Sequence, residues 1–434
     1  MQPRRTLNFT NLIALTFFCV SGGAYGFEDA VGAAGPMVAL GALLIVPWLW
    51  SFPTALMTAE LSSAMPEDGG YVVWVERAFG RFWAFQEGWW SWLCSFADNA
   101  LYPVMFVDYL SYLRGDMPPL ERWLIGAAVI VPIAWLNIRG AKPVGVSITV
   151  FTALVLAPFA AMVVLGAPQV DFSSWLARGG KAEWGVLLSV VLWNNCGWDY
   201  AGTCAGEVEK PEKNYARAMA VTVVLVTLTY LLPVAVGVGA DRNWDQWKDG
   251  HFTQVAEQIG GAWFGGWLAI AGLISAVGLL SALLLTSSRV PYAMAERGML
   301  PAPLKKLHPR YGTPSAAIVV NSIVVAALIP FPFKDIVQVD MFLYSLALVL
   351  EFAALVWLRV KQPEMPRPYR VPFGTAGAIA LSVPPVLLCA ASIWLADAPT
   401  KWVSIAGVIL GLIVFPLTAR RYADVSSERA SSLP

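Results

Sequence analysis

Mostly apolar stretches of about twenty residues, long enough to cross a bilayer as helices, recur along this chain between short polar connections. Twelve can be marked off, at about 12–31, 37–59, 82–110, 120–136, 144–165 and 184–205, then 218–240, 263–288, 315–331, 337–357, 376–395 and 402–418. The pattern predicts an all-α polytopic membrane protein, a single transmembrane domain over 1–434. Two spans are interrupted. The first carries Ser21-Gly22-Gly23-Ala24-Tyr25-Gly26-Phe27-Glu28-Asp29. Its glycines weaken helix propagation by about 1 kcal/mol each relative to alanine, and its two acids sit where charge is expensive. The sixth carries Asn194-Asn195-Cys196-Gly197-Trp198-Asp199-Tyr200-Ala201-Gly202. These spans open two successive groups of five, at about 12–165 and 184–359. Matching glycine-interrupted segments in two halves point to a transporter site built from an inverted repeat.

Composition agrees with the pattern. Of 434 residues 57% are hydrophobic and 13% charged, and mean hydropathy is +0.61; soluble domains carry about 25% charged residues. Net charge is zero, which removes the case for nucleic-acid binding or a polybasic lipid anchor. Cys19, Cys94, Cys196, Cys204 and Cys389 fall within spans and show no metal spacing, so they are expected as packing residues, and no metal or cofactor is implied. Arg4-Arg5 before an apolar run resembles a signal peptide, but no convincing cleavage site follows and an uncleaved first span is expected. Of the 29 Lys and Arg, 21 fall on the side of the termini and 8 on the other. The positive-inside rule then places both termini in the cytoplasm.

Every Lys and Arg can be placed in a connection or at a span end, whereas Glu28, Asp29, Asp98, Asp199 and Glu351 fall within spans, with Glu60, Asp108 and Glu207 nearer their ends. An interior with acids and no bases suits a cationic substrate, a proton, or both. Asp98 and Tyr102, four apart, share one helix face. Together they can hold an ammonium by charge and by cation–π contact; the alternative is a structural hydrogen-bonded pair. Glu351 is a candidate proton carrier, or a packing acid bonded to a neighbouring hydroxyl. One of Glu28 and Asp29 meets substrate or proton, with Glu28 preferred, while the other caps the short helix that follows.

Several runs resemble the amino acid–polyamine–organocation superfamily: 21–36 (SGGAYGFEDAVGAAGP), 58–80 (TAELSSAMPEDGGYVVWVERAFG), 205–214 (AGEVEKPEKN) and 295–301 (AERGMLP). The runs 98–103 (DNALYP), 350–352 (LEF) and 367–370 (RPYR) are similar to those of the polyamine:proton symporters of plants and protozoa. The resemblance covers nearly the whole chain. It implies a leucine-transporter-like fold, a 5+5 inverted repeat with two further helices at about 376–418. It further implies that backbone N–H groups at Ser21, Gly22 and Gly23 meet a substrate carboxylate, that carbonyls at the two breaks meet its amine, and that Trp193 gates the pocket. The related L-type amino-acid transporters continue Gly-Trp-Asn where this chain has Gly197-Trp198-Asp199. That departure adds an anion and favours an amine-rich substrate.

Ser21, Gly22, Gly23, Ala24, Tyr25, Glu28, Asp98, Tyr102, Trp193, Cys196, Trp198 and Asp199 are therefore expected at the substrate, and Glu28, Asp29 and Glu351 are the proton-coupling candidates. Sodium in this fold needs span-eight hydroxyls, of which mid-span Ser281 is the main one, so proton coupling is preferred. The expected function is proton-coupled import of polyamines or related cationic amines across a plasma membrane by alternating access, with oligomeric state left open. The alternatives are an amino-acid permease, symporter or exchanger, and a non-transporting amine sensor. An enzyme is disfavoured, because His251 and His308 lie outside the spans and no nucleophile–base constellation is visible.

Overall fold

A computed structural model describes residues 5–179, 183–241, 243–248 and 250–431, with side chains up to position 418 other than Lys334. Arg4, Lys181 and Arg242, which entered the orientation count, lie outside the described residues, as do the side chains of Lys334, Arg420, Arg421 and Arg429.

Fifteen helices form among the described residues. They are α1 (Phe9–Val20), α2 (Glu28–Ala34), α3 (Pro36–Ala64), α4 (Tyr71–Phe79), α5 (Arg81–Arg114), α6 (Pro119–Arg139), α7 (Ala141–Gly166) and α8 (Trp184–Trp193). After them come α9 (Pro211–Ala240), α10 (His251–Gly260), α11 (Ala262–Glu296), α12 (Ser315–Leu328), α13 (Phe333–Lys361), α14 (Gly374–Leu395) and α15 (Ala398–Ser431). Among the described residues there is no β-strand; two isolated bridges join Leu7 to Val208 and Asp68 to Cys204. Eight helices are long and apolar enough to cross a membrane: α3, α6, α7, α9, α11, α13, α14 and α15. The other expected spans coincide with α1–α2, α5, α8 and α12, which are broken, more polar or shorter than that measure requires.

The bundle is apolar outside, and its mainly apolar interior holds a set of buried acids. Leu44, Trp48, Val131, Val164, Leu387 and Trp394 are exposed, while Glu28, Glu60, Glu87, Asp98, Asp199 and Glu351 are buried. The apolar outer face suits a hydrocarbon surround, where every polar group must find its partner within the protein. The five cysteines are all buried and unpaired as disulfides.

The structure differs from the expected spans at two places. Span six breaks after Trp193, at the interruption its sequence predicts, but no α-helix resumes before residue 205: only short 3₁₀ turns follow, at Tyr200–Thr203 and Ala205–Glu207. The Asn194 and Asn195 side-chain amides donate back to the Val190 and Val191 carbonyls, each at 2.9 Å, which gives the backbone an alternative to continuing the helix. Second, α11 runs beyond 288 to Glu296, so Arg289 lies inside a helix and is buried rather than at a span end.

Arg289 belongs to a set of ion pairs that ties together the runs carrying the family resemblance. Its guanidinium donates to Glu207 at 2.8 Å. Glu60, fully buried, accepts from Arg359 at 2.7 Å and through a second contact, from the Val371 N–H at 2.7 Å, and lies 3.3 Å from Arg367. Arg297 reaches Glu76 at 2.7 Å, and Arg81 donates to the carbonyls of Arg297 and Gly298. Leu7 also donates its N–H to the Glu207 carbonyl at 3.0 Å and accepts from the Glu209 N–H at 2.8 Å. This end of the bundle is sealed by polar contacts.

Candidate functional site

The two helix breaks lie against each other. The Asn194 amide donates to the Gly26 carbonyl at 3.1 Å, so the end of α8 is bonded to the loop between α1 and α2. Gly197 has φ +85°, and a Cβ there would fall 2.2 Å from the Cys19 carbonyl oxygen. Only glycine supplies both the left-handed backbone and the close approach. Its N–H donates to the Tyr344 hydroxyl at 3.1 Å, which brings α13 to the same point.

Asp98 of α5 stands beside this junction, 2% exposed. Its Oδ1 accepts the Tyr102 hydroxyl at 2.8 Å and the Trp193 indole N–H at 3.3 Å. The rings of Tyr102 and Trp193 are nearly parallel, with centroids 6.4 Å apart, and Phe333 meets Trp193 edge-on at 5.5 Å. Two cavities share Asp98 as a wall. One is bounded by Ser21, Tyr25, Tyr102, Trp193, Cys196 and Tyr230 among others, the second by Tyr71, Ser95, Asn99, Tyr200, Thr286 and Ser287. Each holds about 10 Å³, the room for one water. No Lys, Arg or His lines either. Together the two cavities form a small acidic and aromatic chamber. A larger hollow of about 600 Å³ lies between α5, α12, α13 and α15 and is lined mainly by apolar side chains such as Leu93, Phe96, Val324 and Val403.

The structure brings Ser21, Tyr25, Asp98, Tyr102, Trp193 and Cys196 together around the first cavity; the other sequence-derived candidates do not line it. The Ser21 and Gly22 N–H groups both donate to the Phe17 carbonyl, at 2.8 and 3.4 Å, and the Gly23 N–H donates to Ser21 Oγ at 3.2 Å. Three amides that the resemblance assigns to a carboxylate are thus engaged within the chain. The Gly22 carbonyl accepts from Ser275 Oγ, a span-eight hydroxyl that the sequence reading passed over. Ala24 is buried in the loop, and the Tyr25 hydroxyl donates to the Leu268 carbonyl at 2.7 Å. Glu28 and Asp29 occupy the first turn of α2, Glu28 fully buried and Asp29 half-buried. Trp198 is fully buried, with its N–H on the Asn195 carbonyl at 2.9 Å. Asp199 accepts the Tyr344 hydroxyl at 2.5 Å.

Sequence reasoning missed two buried acids within its own spans, Glu87 and Asp340. Asp340 accepts the Cys94 thiol at 2.8 Å and lies within Coulomb range of Asp98 and Asp199. Glu87 accepts Ser91 Oγ at 3.1 Å and lies within Coulomb range of Asp199. The available signal was plain: each is a carboxylate inside an apolar run.

At the polar end of the bundle, outside the spans, Asp68 accepts the Gly206 N–H at 3.1 Å. Burial, then the neighbouring Glu207 carboxylate, push its carboxyl up to about 7, against the pull of Arg289.

Comparison with known proteins adds an independent finding. Residues 7–415 match the family model described as amino acid permease. The chain is 40% identical to a probable polyamine transporter of Arabidopsis thaliana, over 95% of this chain and 84% of that one. It is also 40% identical to the polyamine transporter PUT1 of Oryza sativa subsp. japonica, over 95% and 78%. At 26% identity it resembles the serine/threonine exchanger SteT of Bacillus subtilis, over 73% and 74%.

Proposed function

The chain belongs to the amino acid permease family, and on that premise we propose that it is a secondary transporter importing polyamines by alternating access, coupled to protons. The observation that carries this reading is the chamber beside Asp98. It offers a carboxylate, two aromatic faces and no base, which is the chemistry that holds an alkylammonium. The relatives at 40% identity bear the name polyamine transporter. The amides at Ser21–Gly23, which would hold an amino acid's carboxylate, donate within the chain.

In this reading Asp98, Tyr102 and Trp193 bind one ammonium, Asp199 a second, and Trp193 closes over the ligand. The loops of Ser21–Glu28 and Cys196–Asp199 reopen the chamber when the two inverted repeats rock. The repeats are residues 12–165 and 184–359, with both termini and the ion-paired end of the bundle in the cytoplasm and the molecule in the plasma membrane. Glu28, Asp29 and Glu351 are the candidates to carry the coupled proton. The second reading is an amino-acid exchanger, favoured by the likeness to the serine/threonine exchanger.

Proteoliposomes loaded at neutral pH and diluted into labelled putrescine, spermidine or an amino-acid panel distinguish the two. Polyamine uptake driven by an inward proton gradient is expected. Amino-acid uptake that polyamines fail to inhibit would replace the first reading with the second.

A further inference from the structure

The acids in the interior form a register. On α5, Glu87 and Asp98 are eleven residues apart; on α13, Asp340 and Glu351 are eleven apart. Eleven residues are just over three turns, so each pair lies within about 20° of one helix face, with about 16 Å between members. The helices run antiparallel. Cys94 of α5 meets Asp340, while Glu87, nearer the start of α5, is within Coulomb range of Glu351, nearer the end of α13. Asp340 thus lies opposite Cys94, one turn along α5 from Asp98, and Glu87 is the acid of α5 in range of Glu351. Asp199 lies between, in Coulomb range of both levels.

The lower level differs from every other buried acid at that end of the bundle. Glu60 and Glu207 are met by arginines. Glu87 and Glu351 are 0% and 1% exposed, and the Oε2 atom of each has no hydrogen-bond partner. Among the described residues, the charged groups in range of Glu351 are Asp199 and Glu87, both acids. Such oxygens are costly to bury unless a cation joins them. Tyr71, on the wall of the second cavity below Asp98, lies within Coulomb range of Asp199, Glu351 and Glu87 alike. Tyr71 is thus a neighbour of both the second cavity and the Glu87–Glu351 pair.

We propose that Glu87 and Glu351 form a second ammonium site, about three helical turns from Asp98 and Asp340, which takes the leading amine of long polyamines. An extended tetraamine such as spermine reaches from one level to the other, whereas putrescine does not. The two levels therefore discriminate polyamines by length, and Asp199 serves the inner amines of the longer chain. This inference rests on the polyamine reading above.

The test is equilibrium binding of labelled putrescine and spermine to purified full-length protein, wild type beside Glu87→Gln and Glu351→Gln. Each substitution keeps side-chain shape, and the new amide still offers Ser91 an acceptor oxygen. Either variant alone suffices if the other does not fold. We expect spermine affinity to fall at least tenfold and putrescine affinity to stay within twofold. Equal losses for both ligands, or no loss for either, would overturn the second site. So would unchanged spermine binding with an altered pH dependence of uptake, which would make the pair a proton site only. Wild-type protein that binds neither amine would overturn the polyamine reading and, with it, this one.

Discussion

The indole N–H of Trp193 donates to the carboxylate of Asp98 at 3.3 Å, so the residue proposed as the lid of the chamber is fastened to the acid beneath it. An ammonium that takes Asp98 must share that oxygen with Trp193 or displace it. Ligand arrival and movement of the lid are thereby linked. Replacing Trp193 by Phe keeps an aromatic face and removes the N–H; replacing it by Ala removes both. A hydrogen bond to a charged group contributes about 1.5–3 kcal/mol and a desolvated cation–π contact about 2. Trp193→Ala should therefore raise the half-saturating polyamine concentration more than tenfold, and Trp193→Phe by less. Uptake kinetics on the two variants check the order, and equal kinetics would remove the lid role.

Asp199 is the departure that marks this chain from the L-type pattern, and it is bonded to Tyr344. Asp199→Asn removes the charge while keeping an acceptor for that hydroxyl. Polyamine affinity should fall roughly ten- to a hundredfold, the scale of one charge-assisted contact, while affinity for any neutral amino acid stays put. Competition by an amino-acid panel reads the difference. An unchanged selectivity profile would end the role assigned to Asp199.

Arg359 and Glu60 are paired out of water, with Arg367 at 3.3 Å from the same carboxylate. Removing one member of a buried pair costs about 3–5 kcal/mol, and the second arginine offsets part of it. Arg359→Ala should therefore lower the melting temperature of detergent-solubilised protein. The double substitution Glu60→Met with Arg359→Met also takes the carboxylate away from Arg367 and from the Val371 N–H, so it should lower the melting temperature further. A double variant that melts above the single one would mean that Arg367 and the Val371 N–H do not depend on Glu60.

Asp68 gives the sealed end a pH dependence. Its carboxyl titrates at about 7 in this form against 3.8 for a free aspartate, so the closed end holds its proton the more tightly. That contribution is whole below pH 3.8, drains as pH rises from there to about 7, and is gone above. The slope is at most about 1.4 kcal/mol per pH unit. Thermal stability should therefore decline between pH 5 and 7.5, and Asp68→Asn should flatten that decline. Identical profiles for wild type and variant would exclude Asp68 as the titrating group.

The sequence disclosed the class of fold because its signals are local: apolar length, glycines at the breaks, and runs that match a family. The Ser21–Gly26 and Gly197 breaks were legible for the same reason. What it hid is what only packing decides. The extent of α8 turns on side-chain amides of Asn194 and Asn195, which either a helix interior or a helix end can accommodate. Trp198 and Trp193 look alike in a string of letters; in the structure one is fixed on the Asn195 carbonyl and the other on Asp98. Ser275 gains its meaning only from the Gly22 carbonyl in the distant break between α1 and α2. Glu87 and Asp340 were visible as acids in apolar runs, yet their shared eleven-residue spacing matters only once α5 and α13 are known to lie antiparallel.

The five thiols carry a practical consequence. Cys19 and Cys196 line the chamber, and Cys94, Cys204 and Cys389 are also buried. A membrane-permeant alkylating reagent should therefore find the closed molecule almost silent and label it only as the chamber opens. Ligand that holds the lid shut would slow that labelling. The native chain thus carries its own clock for the transport cycle, and a cysteine engineered onto its outside can be read against a quiet background.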